Sequence, residues 1–133
     1  VKNTAERWIL VVDDATEMRW LLERLLKRAG WSVQTASTGA EALSLLQTHK
    51  FDAILLDWRL PDTTGSELAK TIKTIDPSLP IIMVSGSDLG DRPVHQAYAD
   101  GVIDCFVAKP FLHQEILDAV ESAMSCKRGV IAT

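Results

Sequence analysis

Two patterns of hydrophobic positions alternate along the chain. Short, mostly apolar runs rich in β-formers occupy 8–12, 31–36, 51–57, 81–84 and 103–107. Between them, apolar residues recur at intervals of three and four, the spacing of one helical face. Met18, Leu21, Leu22, Leu25 and Leu26 form such a stripe over 15–29, with Trp20 off the stripe and expected to be exposed. Ala42, Leu43, Leu45 and Leu46 form a second over 39–49, and Leu68, Ala69 and Ile72 a third over 66–75. Ile116, Leu117, Val120 and Met124 form the last over 111–123. The fourth helix, starting near an Asp91 cap and an early Pro93, is the poorest, with Val94 and Ala97 as its apolar anchors.

Punctuation agrees with this division. Gly30 and Gly101 end helices, Asp76-Pro77 ends the third, and Pro61 and Gly65 break the chain after the third run. The run Ala53-Ile54-Leu55-Leu56 has no polar alternation, so it suits a strand covered on both faces. Five strands alternating with five helices predict a doubly wound α/β sandwich of three layers around a parallel sheet. Of the two common orders, five strands suit 2-1-3-4-5, with the topological switch point between the first and third strands.

Composition narrows the class. The 133 residues, 47% hydrophobic, suffice for one domain, with a core over about 7–125 and short tails. No apolar run approaches the roughly 20 residues of a membrane span, and no leader opens the chain, so a cytoplasmic protein is expected. Cys105 and Cys126 lack CxxC spacing and read as free thiols, Cys105 as packing. A net charge of -4 with scattered basic residues argues against direct nucleic-acid binding. His49, His95 and His113 have no ligand spacing and are expected on solvated helix faces.

Chemistry gathers at the strand ends. Asp13, Asp14, Asp57, Ser85 and Lys109 each follow the end of a different apolar run, apart from the adjacent pair, so the fold should assemble them at one sheet edge. Each has a plainer reading alone: Asp13 or Asp14 as a helix cap, Asp57 as a turn residue, Ser85 as a loop serine, Lys109 as a surface cation. Their joint placement favours a site. A like-charged pair at ~4 Å costs about 4 kcal/mol at an effective dielectric of ~20, so one lysine does not neutralise three carboxylates. A hard divalent cation such as Mg2+ would, while leaving positions for a phosphorylated substrate. Lys109 and Ser85 then suit phosphoryl oxygens, with Asp57 as the nucleophile.

These marks together resemble the receiver domain of two-component response regulators, of the chemotaxis-regulator type, over nearly the whole chain from Trp8 to about Met124. The matching residues are Asp13-Asp14, Asp57 with Pro61 and Gly65, Ser85, and Lys109-Pro110-Phe111. The resemblance implies a flavodoxin-like (βα)5 fold in which Asp57 accepts a phosphoryl group from a partner histidine kinase or histidine phosphotransfer protein. It implies Mg2+, with Mn2+ as a substitute, held by Asp14, Asp57 and the Arg59 backbone carbonyl, and by Asp13 through water. Ser85 and Lys109 would hold phosphoryl oxygens, joined by the backbone amides of Trp58 and Gly86, and Phe106 would be the aromatic switch. The implied output surface is the fourth helix, fifth strand and fifth helix, facing a downstream output domain or protein or a second copy in a homodimer. Such a domain is not an enzyme beyond its own phosphorylation and slow dephosphorylation.

Some positions depart from the family's pattern. The switch residue is Phe rather than the commoner Tyr, Gly86 replaces a frequent alanine, and 101–109 is one residue longer than usual. Arg59 and Ser87 stand where receivers vary, and a bulky Arg59 is expected to shield the acyl phosphate from water. Trp58, beside Asp57, is expected to report metal binding by fluorescence. The alternative function is a phosphorylation-independent interaction domain, a pseudo-receiver, although no site residue is missing. A flavin carrier or a hydrolase of the haloacid dehalogenase type fits poorly, because the first strand is followed by DDATEM.

Overall fold

The computed structural model describes residues 6–86 and 92–127. Strands and helices alternate in the order β1 (Trp8–Val12), α1 (Thr16–Arg28), β2 (Ser32–Ala36), α2 (Gly39–Thr48), β3 (Ala53–Asp57), α3 (Gly65–Ile75), β4 (Ile81–Gly86), α4 (Arg92–Ala99), β5 (Cys105–Lys109) and α5 (His113–Lys127). The sheet order is β2-β1-β3-β4-β5, with every pair parallel. This is the doubly wound arrangement expected from the sequence.

Strand side chains alternate between two faces, and the core divides accordingly. Ile9, Val11, Ala53, Leu55, Ile82 and Val84 pack with Leu22 and Leu26 of α1 and with Ile116, Ala119, Val120 and Ala123 of α5. Their neighbours Leu10, Val12, Ile54, Leu56, Ile81 and Met83 pack with Ala42 of α2, Leu68, Ala69 and Ile72 of α3, and Ala97 of α4. Every residue of β3 is buried, so truncating Leu55 to Ala at its centre should cost roughly 2–5 kcal/mol. The absence of polar alternation in 53–56 follows from this two-sided burial.

Helix faces are narrower than their apolar stripes. Leu22 and Leu26 are buried, Met18 and Leu25 half-buried, and Leu21, expected to face inward, is 37% exposed beside Trp20 at 68%. Five apolar positions span too wide an arc for one helix lying on a sheet, and Leu21 falls at its edge. On α2, which covers the edge strand, Ala42 is buried while Leu43, Leu45 and Leu46 remain half-buried. All three histidines are exposed, although His49 stacks on Phe51 and His95 stands edge-on to Phe106. Among the tryptophans only Trp31 is buried, beneath the Arg7 guanidinium 4.2 Å above its ring. Cys105 is half-buried against the first core, whereas the Cys126 side chain, the Val94 side chain, the Asp91 cap and Ser87 lie outside what is described.

β5 begins two residues later than the apolar run suggests. Asp104 acts as a clasp at its start: its N–H donates to the Ile81 carbonyl (2.8 Å), and its carboxylate accepts from the Ile81 N–H (2.8 Å) and from Lys73 Nζ (2.9 Å). The ladder then opens with Ile82 opposite Cys105 and runs to Gly86 opposite Lys109. Ile103 is buried in the loop before the strand.

Candidate functional site

Asp13 directly follows β1, with its N–H bonded to the carbonyl of Ala36 at 3.1 Å. It is 2% exposed. Its Oδ1 accepts from the Ala15 N–H (2.9 Å), and Arg19 Nη1 donates to its carbonyl (2.7 Å), fixing the turn into α1. The N-cap of α1 is Ala15, which caps with no side chain, so neither acid fills the N-cap position itself. Asp14 is exposed.

Asp57 ends β3 at 9% exposure, opposite Val84 in the ladder. Lys109, the last residue of β5, reaches across β4. Its Nζ lies 3.5 Å from Asp57 Oδ1 and 3.6 Å from Asp13 Oδ2, one cation shared between two buried carboxylates. Burial pushes the Asp57 carboxyl above its ordinary range, and the neighbouring charge of Asp13 adds to this. Lys109 and the Arg59 N–H, which donates to the carboxylate, act in the opposite sense, while Asp14 raises it further. Carboxylate oxygens of Asp13, Asp14 and Asp57 lie within 4.8 Å of one another. Three hard oxygen donors with surplus negative charge match the preference of Mg2+ rather than that of a soft metal.

The loop after β3 is built to approach Asp57 closely. Arg59 and Thr64 face each other in a one-rung antiparallel bridge, flanked by bonds from Leu60 N–H to the Thr63 carbonyl (3.1 Å) and from Gly65 N–H to the Trp58 carbonyl. A Cβ on Gly65 would lie 2.6 Å from the Asp57 carbonyl oxygen and 2.9 Å from both Met83 Sδ and Trp58 Cα, so no larger residue fits. The Trp58 amide expected to contact a phosphoryl group is already engaged, donating to the Val84 carbonyl at 3.0 Å. Alternation along the chain turns the next amide, that of Arg59, toward Asp57 instead.

Ser85, 7% exposed, and Gly86 close β4 opposite Ala108 and Lys109, at the same edge as the acids. Phe106 lies opposite Met83, half-buried. Its ring meets His95 edge-on at 4.8 Å and Tyr98 at 5.8 Å, both on α4. The Lys109–Pro110 peptide is cis. One contact beside the site gives no sequence signal: the Asp62 carboxylate accepts from the N–H groups of Gly39 (2.9 Å) and Ala40 (3.0 Å) at the start of α2. Its partners lie 22 and 23 residues away, so no local spacing signals it.

The sequence pattern of the family described as response regulator receiver domain matches residues 9–121. The chain is 43% identical over 118 residues to the DNA-binding transcriptional regulator NtrC of Escherichia coli strain K12, covering 88% of this chain and 24% of that protein. It is 30% identical over 121 residues to the cell cycle transcriptional regulator CtrA of Caulobacter vibrioides, covering 91% and 52%. The chain thus spans only part of these relatives. Among solved structures, a receiver domain protein (CheY-like) from Methanospirillum hungatei JF-1 superposes with a TM-score of 0.84 at 26% identity, covering 94% of this chain and 98% of that one. The matched pattern runs from β1 into α5 on a sheet of order 2-1-3-4-5 with its acids at the switch point, and the chain belongs to the response regulator receiver domains of two-component signalling.

Proposed function

We propose that Asp57 is a phosphoacceptor. The observation that carries this reading is a buried carboxylate at the end of the central strand, 3.5 Å from Lys109 and grouped with two further acids. An Asp57 carboxylate oxygen attacks the phosphorus of a phosphohistidine on a partner histidine kinase or phosphotransfer protein. The new P–O bond forms as the P–N bond breaks, and the released imidazole takes up a proton from solvent. Asp14, Asp57 and the Arg59 carbonyl would hold Mg2+ (or Mn2+), with Asp13 acting through water. Bound there, the cation supplies charge neutralisation for the carboxylates and the transferring phosphoryl group.

Lys109 pairs with a phosphoryl oxygen and Ser85 donates its hydroxyl to another, while the Arg59 and Gly86 amides complete the cradle. The modification adds about -1.5 to -2 charge at Asp57. Drawing Ser85 and Lys109 toward that charge biases the end of β4 and the ring of Phe106 between two positions, altering the surface of α4, β5 and α5. That surface then meets an output domain or protein, or a second copy. The domain signals and catalyses nothing beyond its own modification and slow hydrolysis. Among the described residues no helix is long and apolar enough to cross a membrane, which is consistent with a cytoplasmic site of action.

Mixing the protein with Mg2+ and a small phosphodonor and weighing it intact tests the proposal. A gain of one phosphoryl group, absent from Asp57→Asn, is expected. No gain with any donor would instead favour the phosphorylation-independent interaction domain.

A further inference from the structure

The contact between Asp62 and α2 joins two loops that do not follow neighbouring strands. Asp62 lies in the β3–α3 loop and Gly39 at the start of α2, after β2, and β1 separates those strands in the sheet. The carboxylate therefore crosses above the end of β1, where Asp13 and Asp14 stand, on the α2–α3 side of the site. The docking is close. A Cβ on Gly39 would lie 2.7 Å from Thr63 Cγ2 and 3.4 and 3.5 Å from the two Asp62 carboxylate oxygens, so glycine at 39 is what lets the loop seat here.

α2 has a cap of its own. Thr38 Oγ1 accepts from the Glu41 N–H (3.0 Å), and the Glu41 carboxylate reaches back past the cap to the Ser37 N–H (2.8 Å), a variant of the capping box with its return bond one residue early. Asp62 is thus an additional acceptor for the next two donors, supplied from another part of the chain. Those two N–H groups hold the Asp62 carboxyl below its usual range. The loop it anchors is internally closed by the Arg59–Thr64 bridge and its two flanking bonds. Fixing the tip at Asp62 therefore fixes the Arg59 peptide at the root.

We infer that Asp62 is a positioning residue for phosphoryl transfer: by tying the β3–α3 loop to the start of α2, it holds the Arg59 amide facing Asp57. Its role in transfer rests on the phosphoacceptor reading, whereas its effect on Arg59 does not. Positioning errors of ~1 Å at a reacting group can cost about 100-fold in rate, so a side chain that touches neither phosphoryl group nor metal still governs the reaction.

The test compares Asp62→Ala with Thr38→Ala, which loosens the start of α2 but leaves the loop contact in place. Two readouts are used on the intact chain: the Arg59 amide resonance in a 1H–15N spectrum, and the phosphorylation rate constant at saturating small phosphodonor and Mg2+. Asp62→Ala is expected to shift the Arg59 resonance and slow phosphorylation by about tenfold or more. Asp62→Asn, keeping one acceptor, should fall between it and the wild type, and Thr38→Ala should do neither. An unmoved Arg59 resonance in Asp62→Ala, or a rate equal to that of Thr38→Ala, would overturn the inference. Should the wild type take up no phosphoryl group, the phosphoacceptor reading fails, and the resonance alone decides what Asp62 does.

Discussion

The ammonium of Lys109 lies 3.5 Å from Asp57 Oδ1 and 3.6 Å from Asp13 Oδ2, joining the ends of β5, β3 and β1 through one cation. Two buried carboxylates share that charge, and a third, Asp14, has an oxygen within 4.8 Å of theirs. Lys109→Ala is therefore expected to destabilise the metal-free protein by about 1 kcal/mol, a modest figure because the lysine is partly solvated. It should bind Mg2+ at least as tightly as the wild type, since a competing cation is gone, yet phosphorylate more than about tenfold more slowly. Thermal melts in chelator, metal titration by tryptophan fluorescence and donor kinetics separate the three effects.

Asp57 titrates above its ordinary value of 3.8 in the folded protein and at that value in the unfolded chain. Between the two, the native state holds the extra proton, so stability is highest below the unfolded value and falls as pH rises through the native one. Asp57→Asn removes that loss while keeping an oxygen for the Arg59 N–H. In chelator at neutral pH the variant should melt above the wild type, and the difference should vanish below about pH 3.8. A variant that melts lower at neutral pH would contradict the electrostatic account.

Gly65 carries the close approach behind Asp57. Because a Cβ there would lie 2.6 Å from the Asp57 carbonyl, Gly65→Ala must displace backbone rather than a flexible side chain. A cost of roughly 1–3 kcal/mol in denaturant unfolding is expected, with a matching loss of phosphorylation rate. An effect within ~0.5 kcal/mol would mean the loop yields without strain.

The Arg59 side chain is exposed, while its backbone faces Asp57. Shielding of the acyl phosphate by this side chain predicts that Arg59→Ala shortens the phosphoryl half-life without changing Mg2+ affinity, since Arg59 reaches Asp57 through its backbone N–H and is proposed to reach the metal through its carbonyl. Following loss of the adduct after donor removal checks it. A half-life unchanged or longer would refute the shield.

Much of this was legible in the residues because burial on both faces writes itself into unbroken runs such as Ala53-Ile54-Leu55-Leu56, and strand ends announce themselves as the first acid or turn residue. The meeting of Asp13, Asp57 and Lys109 at one sheet edge is legible in that way. Local pattern does not carry long-range contacts: the Asp104 clasp that delays β5 and the Asp62 anchor on α2 each depend on partners more than twenty residues away. The Trp58 amide shows a different limit of local pattern. Which of two adjacent amides faces a site depends on the ladder register, and the bond from Trp58 to Val84 uses the first and leaves the second at Asp57. Leu21 shows that periodicity gives a helix its inward side but not how wide an arc the sheet covers.

Chemical trapping of the phosphorylated protein tests the central claim most directly. Borohydride reduces an aspartyl phosphate to homoserine, and peptide mass spectrometry then locates the changed residue. After incubation with Mg2+ and a small phosphodonor, homoserine is expected at position 57 and nowhere else. Conversion at another acid, or none in a protein that has gained a phosphoryl group, would contradict Asp57 as the acceptor.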